Sequence, residues 1–481
     1  MTVSVDTTDT QRTVVLTPHP LQRVGAFALA ELVEVDHPDQ LKPAEFDEAT
    51  RVMTEHLLGT ADVADAKELG GFWLGASYLL WPNASGLNTT NRKKLSPPQR
   101  RELMTRWRAL PDRSRWPGVP CSLCGRPACG YYGKVDVPLG ASTAYRNTTP
   151  PDHAGLALCF ACLNSLYALP YGCQIGGGRA AALHSWDEKF LQRFVRIQVR
   201  RTLQRAELGA GTAKPPPYWR EATALRDLRS YSHRLIAGVQ LIVFSNSNKE
   251  QVLDEHAMDQ PLAEWLRSTA HNRQRRFGYR YLVRAHRTKD ISGNALLARI
   301  AFHEPRQVLT RAVHFLRRVS AESSVVPGEV PHLVSLCFSY AIEVLQVNDK
   351  DIARIQKLAE HIAEALEPHR ERGALKGYES AHRDTRRLQD WLRKWAVHWA
   401  LLPPKDQKVP PEEQQGPFVT SEQWRLLFDS DGRSWLHRDL LFIAVLEQLN
   451  QRGWRADDVK SRDDLDDPTA DDPNANAEEN Q

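Results

Sequence analysis

Seven cysteines occur in 481 residues, and four of them form two C-x-x-C pairs, Cys121/Cys124 in CSLCGRPACG and Cys159/Cys162 in LCFACL. A two-residue gap lets one tight turn aim two sulfurs at a single point, and two such turns complete a tetrahedron of thiolates around Zn2+. Gly125 follows the first pair, where a knuckle needs a backbone free to take positive φ. Four protein ligands leave no coordination position for water, so the Zn2+ expected here is structural. A redox dithiol would account for one pair but not for two, and packed core cysteines have no reason to repeat the spacing. Cys129 and Cys173 lie nearby without belonging to a C-x-x-C pair. The 34 residues between the pairs exceed the usual span of about 15–20. Strands or a loop must therefore intervene, and the second pair, running into NSLYALPYG, is expected at a helix start.

Basic residues form the second group that could do chemistry. Lys189, Arg193, Arg196 and Arg200 recur every three or four residues. At about 100° per residue they share one stripe of a helix, opposite Phe190, Leu191, Phe194, Val195 and Ile197. Solvated faces usually mix signs, so an unmixed cationic ridge favours a polyanion. His271–Lys289 holds seven Arg or Lys and no acid, interleaved with Phe277, Tyr279 and Tyr281. Its Arg273, Arg275, Arg276, Arg280 and Arg284 suit a strand or loop that grips phosphates while the rings stack on bases. The competing reading is a basic surface with its aromatics turned into the core. Two polar loops complete the set, one with Asn88, Asn91, Arg92, Lys93 and Lys94, the other with Asn246, Asn248 and Lys249. Short loops of this kind can enter a DNA groove, although either is equally at home as plain surface. IGGGR (Ile175–Arg179) offers backbone amides to a phosphate only weakly.

The elements that position these residues can be read coarsely. Helical spacing occurs at Ala44–Leu58, Pro97–Arg108 and Trp186–Ala206, and VQLIVFSNSN (Val239–Asn248) reads as a buried strand leaving into a turn. Beyond about Arg306 apolar residues recur at spacings of three and four, as in Ile352, Ile355, Leu358, Ile362 and Leu366, and strand-like alternation all but ceases. The expected fold class is α+β: a mixed N-terminal body with a structural, zinc-finger-like site of four cysteines, followed by a C-terminal α-helical bundle. The expected divisions are a flexible arm at 1–17, a nucleic-acid-binding body at 18–305 with its zinc module at 118–178, a helical bundle at 306–456, and a disordered acidic tail at 457–481. That tail carries ten acidic and two basic residues, a net of −8, so the net +4 of the chain leaves +12 for the preceding 456 residues. A cationic body suits a nucleic-acid partner.

Several function classes are disfavoured. No apolar run approaches the length of about eighteen residues that a membrane span needs. The opening MTVSVDTTDTQRTVV lacks the basic start and apolar core of a signal peptide, so a cytoplasmic location is expected. HRDL at His437 mimics a kinase catalytic loop, but Ala444 stands where the metal-binding Asn is required. The GxxxxGK[ST], HExxH and GxSxG signatures do not occur. The expectation is a protein without catalytic residues.

One stretch carries more. PLQRVGAFALAELVEVDHPDQL, then CSLCGRPA, then VPLGASTAYRNTTPPDHAGLALCFACLNSLYALPYG resembles the large subunit of type I CRISPR interference complexes, the family called CRISPR-associated protein eight, in its type I-A/I-B branch. The resemblance covers about Pro20–Gly178 and is only architectural in the helical half. It implies a non-catalytic subunit of Cascade, the RNA-guided surveillance complex. Such a subunit recognises the protospacer-adjacent motif in duplex DNA, aids unwinding, and contacts the guide RNA end and the displaced strand. The implied partners are guide RNA, target double-stranded DNA, the backbone, 5′-handle-binding and small subunits, and a helicase–nuclease recruited in trans. Two other classes also fit the residues alone: a zinc-ribbon nucleic-acid-processing enzyme of nuclease type, and a helical interaction scaffold.

Overall fold

The computed structural model describes residues 7–88, 92–140, 155–208, 215–246, 251–322, 330–369, 372–401, 416–429 and 433–454. The chain mixes helices with small antiparallel sheets and divides into two compact units. The first comprises residues 1–227 and 235–260, and the second 228–234 and 261–481. The change of sequence character near residue 306 therefore does not mark the division. Three helices that precede it already belong to the second unit.

The first unit is built around α2 (Pro20–Leu32), in which every residue from Leu21 to Ala30 is buried. A helix apolar on nearly all sides has to be enclosed. It packs against α3 (Pro43–Gly59), α6 (Phe160–Tyr167), α7 (Leu169–Gly172), α8 (Glu188–Leu208) and strand β4 (Arg179–Ser185). The other helices of this unit are α1 (Thr7–Arg12), α4 (Phe72–Leu80), α5 (Pro97–Arg108) and most of α9 (Trp219–Arg229). The larger sheet has the order β3 (Gln174–Gly176), β4, β5 (Val239–Asn246), β6 (Gln251–Met258), all antiparallel, with Ala181 opposite Val243 and Val243 opposite Asp254. The apolar run of β5 is buried almost throughout, as an inner strand requires, whereas β6 at the edge alternates toward solvent. Gly177 (φ 56°) and Gly178 (φ 72°) make the two-residue turn between β3 and β4. Two successive positive φ values are what a tight hairpin of this twist needs, and they account for the glycine run without a phosphate.

The sequence reading of residues 1–17 as a flexible arm is corrected. Residues 1–6 lie outside the described residues, but α1 is helical and Gln11, Val14 and Thr17 are buried. The acidic tail at 457–481 also lies outside the described residues.

Every described element of the second unit is a helix. They are α10 (Gln260–His271, all but its first residue in this unit), α11 (Arg273–His286), α12 (Gly293–His303), α13 (Gln307–Glu322), α14 (Val330–Glu343), α15 (Asp349–Leu366), α16 (Arg372–His382), α17 (Thr385–Ala400), α18 (Ser421–Phe428) and α19 (Ser434–Gln451). Leu440 to Leu446 of α19 are all buried, which puts this helix at the centre of the unit. The residues Ile352, Ile355, Leu358, Ile362 and Leu366 form the buried stripe of α15 that faces it. Among the described residues no helix is long and apolar enough to cross a membrane.

Candidate metal centre and basic surfaces

The four cysteines converge. One Sγ from each of Cys121, Cys124, Cys159 and Cys162 lies within 4.8 Å of all the others, and Cys124 and Cys159 approach to 3.5 Å. Sulfurs held by Zn2+ at about 2.3 Å would stand about 3.8 Å apart at tetrahedral corners, so the tetrad has the size and chemistry to hold a metal ion such as zinc. Among the described residues it is the one such cluster of His, Cys, Asp or Glu side chains.

The local fold explains the convergence. The first pair sits in a knuckle closed by Gly125 N–H to Cys121 O at 2.9 Å and by Cys121 N–H to Arg126 O at 2.6 Å, with Gly125 at φ 75° as its sequence position required. Strand β1 (Gly130–Tyr132) then pairs antiparallel with β2 (Leu156–Leu158), Gly130 opposite Leu158. That ladder returns the chain to the knuckle, so the residue after β2, Cys159, arrives beside Cys124. Cys159 caps α6, whose first turn carries Cys162, and its Sγ accepts from Cys162 N–H at 3.5 Å. The long gap is thus spanned by a two-stranded ladder. Cys129 stays outside the tetrad, its Sγ turned to Tyr132 Oη and Leu158 O, and burial raises its pKa to about 11.

Electrostatically the tetrad is in conflict with itself. Hydrogen bonds from Cys124, Cys159 and Cys162 draw the pKa of Cys121 far down. The bond with Cys121 raises that of Cys124, but those with Cys159 and Cys162 bring it down to about 7. Hydrogen bonds with Cys121 and Cys124 push Cys159 and Cys162 well above the ordinary thiol range. Thiolates this close repel, and a divalent cation is the simplest group that lets all four ionise together.

Sequence reasoning missed the residue that braces the site. Gln11 of α1 donates from Nε2 to Pro127 O and accepts at Oε1 from Phe160 N–H, both at 2.8 Å. It therefore joins the segment after the first pair to the helix that carries the second. Arg126 Nη1 adds a bond to Thr13 O at 2.6 Å. No motif marks Gln11, since its partners lie 116 and 149 residues away.

The basic residues are dispersed, and several are already occupied. On α8, Lys189, Arg193 and Arg200 are exposed. The stripe is not purely cationic in its setting, because Arg196 bonds Glu31 Oε2 (2.9 Å) and Asp36 Oδ1 (2.8 Å), and Arg200 reaches Glu31 Oε1 at 3.5 Å. Neighbouring α2 and the turn after it supply the missing acids. The His271–Lys289 stretch is corrected from a strand or loop to the helix α11. Tyr279 of α11 is buried with its hydroxyl on Asn294, and Arg275 pairs with Glu343 at 3.0 Å. Arg280 lies over Phe277 and Arg284 over Phe315, while Arg276 is half-buried and Arg273 exposed. The aromatics are divided between core and surface, with Phe277 stacked on His332.

Two loop assignments are corrected outright. Arg92 is buried, and its guanidinium donates to Thr60 O, Ala61 O and Val63 O, so it ties down the chain after α3 and cannot probe a groove. Burial lowers its pKa. Asn246 is fully buried at the end of β5, donating to Leu80 O (2.7 Å) and Lys134 O (2.9 Å) and accepting from Gln251 Nε2 (2.9 Å). It is a hub of the first unit. Asn88 is half-buried and donates to Asn83, whereas Lys93 and Lys94 are exposed. Asn91, Asn248 and Lys249 lie outside the described residues.

The chain matches no protein-family model, no curated protein and no solved structure.

Proposed function

We propose that this chain is the non-catalytic large subunit of an RNA-guided type I CRISPR surveillance complex. In this reading it recognises a short motif in duplex DNA and steadies the strands as the guide pairs. The observation that carries the proposal is the order knuckle, VPLG, second C-x-x-C in a chain whose four thiols converge to zinc-site dimensions. Zn2+ held by Cys121, Cys124, Cys159 and Cys162 would stiffen the platform on which α2 and α6 rest, with no open position for chemistry. The second unit, read as a helical bundle, would add contacts along the bound strands.

The buried positions of Arg92 and Asn246 narrow the DNA-facing set. Lys93 and Lys94 beside α5, Lys189, Arg193 and Arg200 on α8, and Arg273 at the start of α11 present exposed cations. These suit phosphates, which position a protein without reading sequence, and base pairing by the guide supplies the specificity. Reconstitution with guide-loaded backbone subunits tests the reading. A complex containing this chain should bind a complementary duplex only beside a particular short motif, and the complex lacking it should lose that dependence. Cleavage or chemical alteration of nucleic acid by the purified chain would overturn the proposal, as would the absence of measurable affinity for any nucleic acid at low salt.

A further inference from the structure

The C-terminal residue of α5, Arg108, is buried in the first unit and has no carboxylate partner among the described residues. Its guanidinium lies 3.8 Å from the centre of the Tyr167 ring. Ring faces attract a cation but do not neutralise it, and a buried guanidinium without a counter-charge is a costly arrangement. Asp136, which shares this neighbourhood, is taken by Trp107 Nε1 at 3.0 Å.

A cavity of ≈ 20 Å3 opens beside the guanidinium. Two buried donors that line it, Arg108 Nε and Trp81 Nε1, lack a hydrogen-bond partner, and the Tyr167 hydroxyl, whose oxygen meets the Arg108 side chain, keeps its own O–H to donate. The facing wall is a stack of His56, Trp73 and Tyr171, with His56 and Trp73 parallel at 4.8 Å. Burial lowers the pKa of Arg108 and of His56, so these surroundings penalise any charge that is not met by an opposite one. Donors from three residues lining one cavity, one of them cationic, call for an acceptor that carries negative charge. The cavity has room for one or two water-sized particles, which suits a monatomic anion better than phosphate or sulfate.

We infer that Arg108, Trp81 and Tyr167 form a binding site for a single compact monovalent anion of halide size. Its occupant meets the guanidinium charge and two neutral donors at once, and locks α5 against α6. The site is independent of the nucleic-acid reading.

Bromide at constant ionic strength is the probe. Replacing gluconate by bromide should raise the melting temperature of the zinc-loaded full chain along a saturating curve, by about 2–4 °C at ten times the half-effect concentration. Arg108→Met should abolish that dependence. Trp81→Phe, which keeps the ring and loses the N–H, should raise the half-effect concentration by about tenfold or more. If Arg108→Met fails to fold, the anomalous signal of bromide-soaked wild-type crystals and the Trp81→Phe titration decide. A peak bounded by Arg108, Trp81 and Tyr167 supports the site. Equal melting temperatures in the two salts, or bromide only on the outer surface, would overturn it.

Discussion

At the scale of single residues, Gln11 shows how much depends on a side chain that no motif announces. Replacing it by Ala leaves Phe160 N–H buried without an acceptor, at a cost of about 1–3 kcal/mol. The urea midpoint of the first unit should fall while one equivalent of zinc stays bound, as elemental analysis would show. Cys162→Ser should lose the zinc itself, and Cys129→Ser should keep it, because Cys129 faces Tyr132 and stays outside the tetrad. His184 yields a prediction in pH. Burial lowers its pKa to about 4, whereas the unfolded chain protonates near 6.5. The unfolded state therefore takes up a proton first, and stability should decline as pH falls from about 6.5 to about 4, by about 1.4 kcal/mol per unit for this group. His184→Gln should flatten the slope of urea stability in that window; an unchanged slope would show that His184 is not its source. The cysteines were legible because their chemistry fixes their spacing. Arg92, Asn246 and Arg108 were not, because a charged or amide side chain looks the same on a surface and in a core until distant carbonyls or rings close around it.

At the scale of elements, the helices were the most legible feature, since the apolar spacing of α8 and α15 already specifies a buried face. The environment of those faces was hidden. The ridge of α8 reads as wholly cationic along its own helix, and only the packing of α2 brings Glu31 to Arg196 and Arg200. Replacing Lys189, Arg193 and Arg200 by Ala should weaken nucleic-acid binding equally across sequences and reduce the slope of log K against log salt by about 2–3. Arg196→Ala should act chiefly on thermal stability, since its half-buried guanidinium bonds both Glu31 and Asp36, whereas the exposed Arg200 makes one longer approach to Glu31. A salt slope that responds to Arg196 but not to the other three would reverse this assignment. α11 was misjudged because cations alternating with aromatics mimic a strand. The burial of Gly278, Tyr279, Leu282, Val283 and His286 follows helical spacing instead.

At the scale of the whole molecule, the four cysteines that could hold a metal all lie in the first unit. Chelation should lower one calorimetric transition and leave a second, from the helical unit, where it was; a common shift of both would mean a single cooperative block. The division at residues 260/261 was hidden in the sequence because no Gly- or Pro-rich linker marks it: β6 ends at Met258 and α10 begins at Gln260. The chain also leaves the first unit at residues 228–234 and re-enters it at Leu235. This has a consequence for biosynthesis. The α1 segment emerges from the ribosome long before Phe160 exists, and β4 waits for β5 across more than fifty residues, with Ala181 opposite Val243. Ribosome-stalled chains ending before about residue 258 should thus stay open to protease at β4, and protection should appear abruptly once β6 has cleared the exit tunnel. Half the polypeptide has to be made before its amino-terminal unit can close.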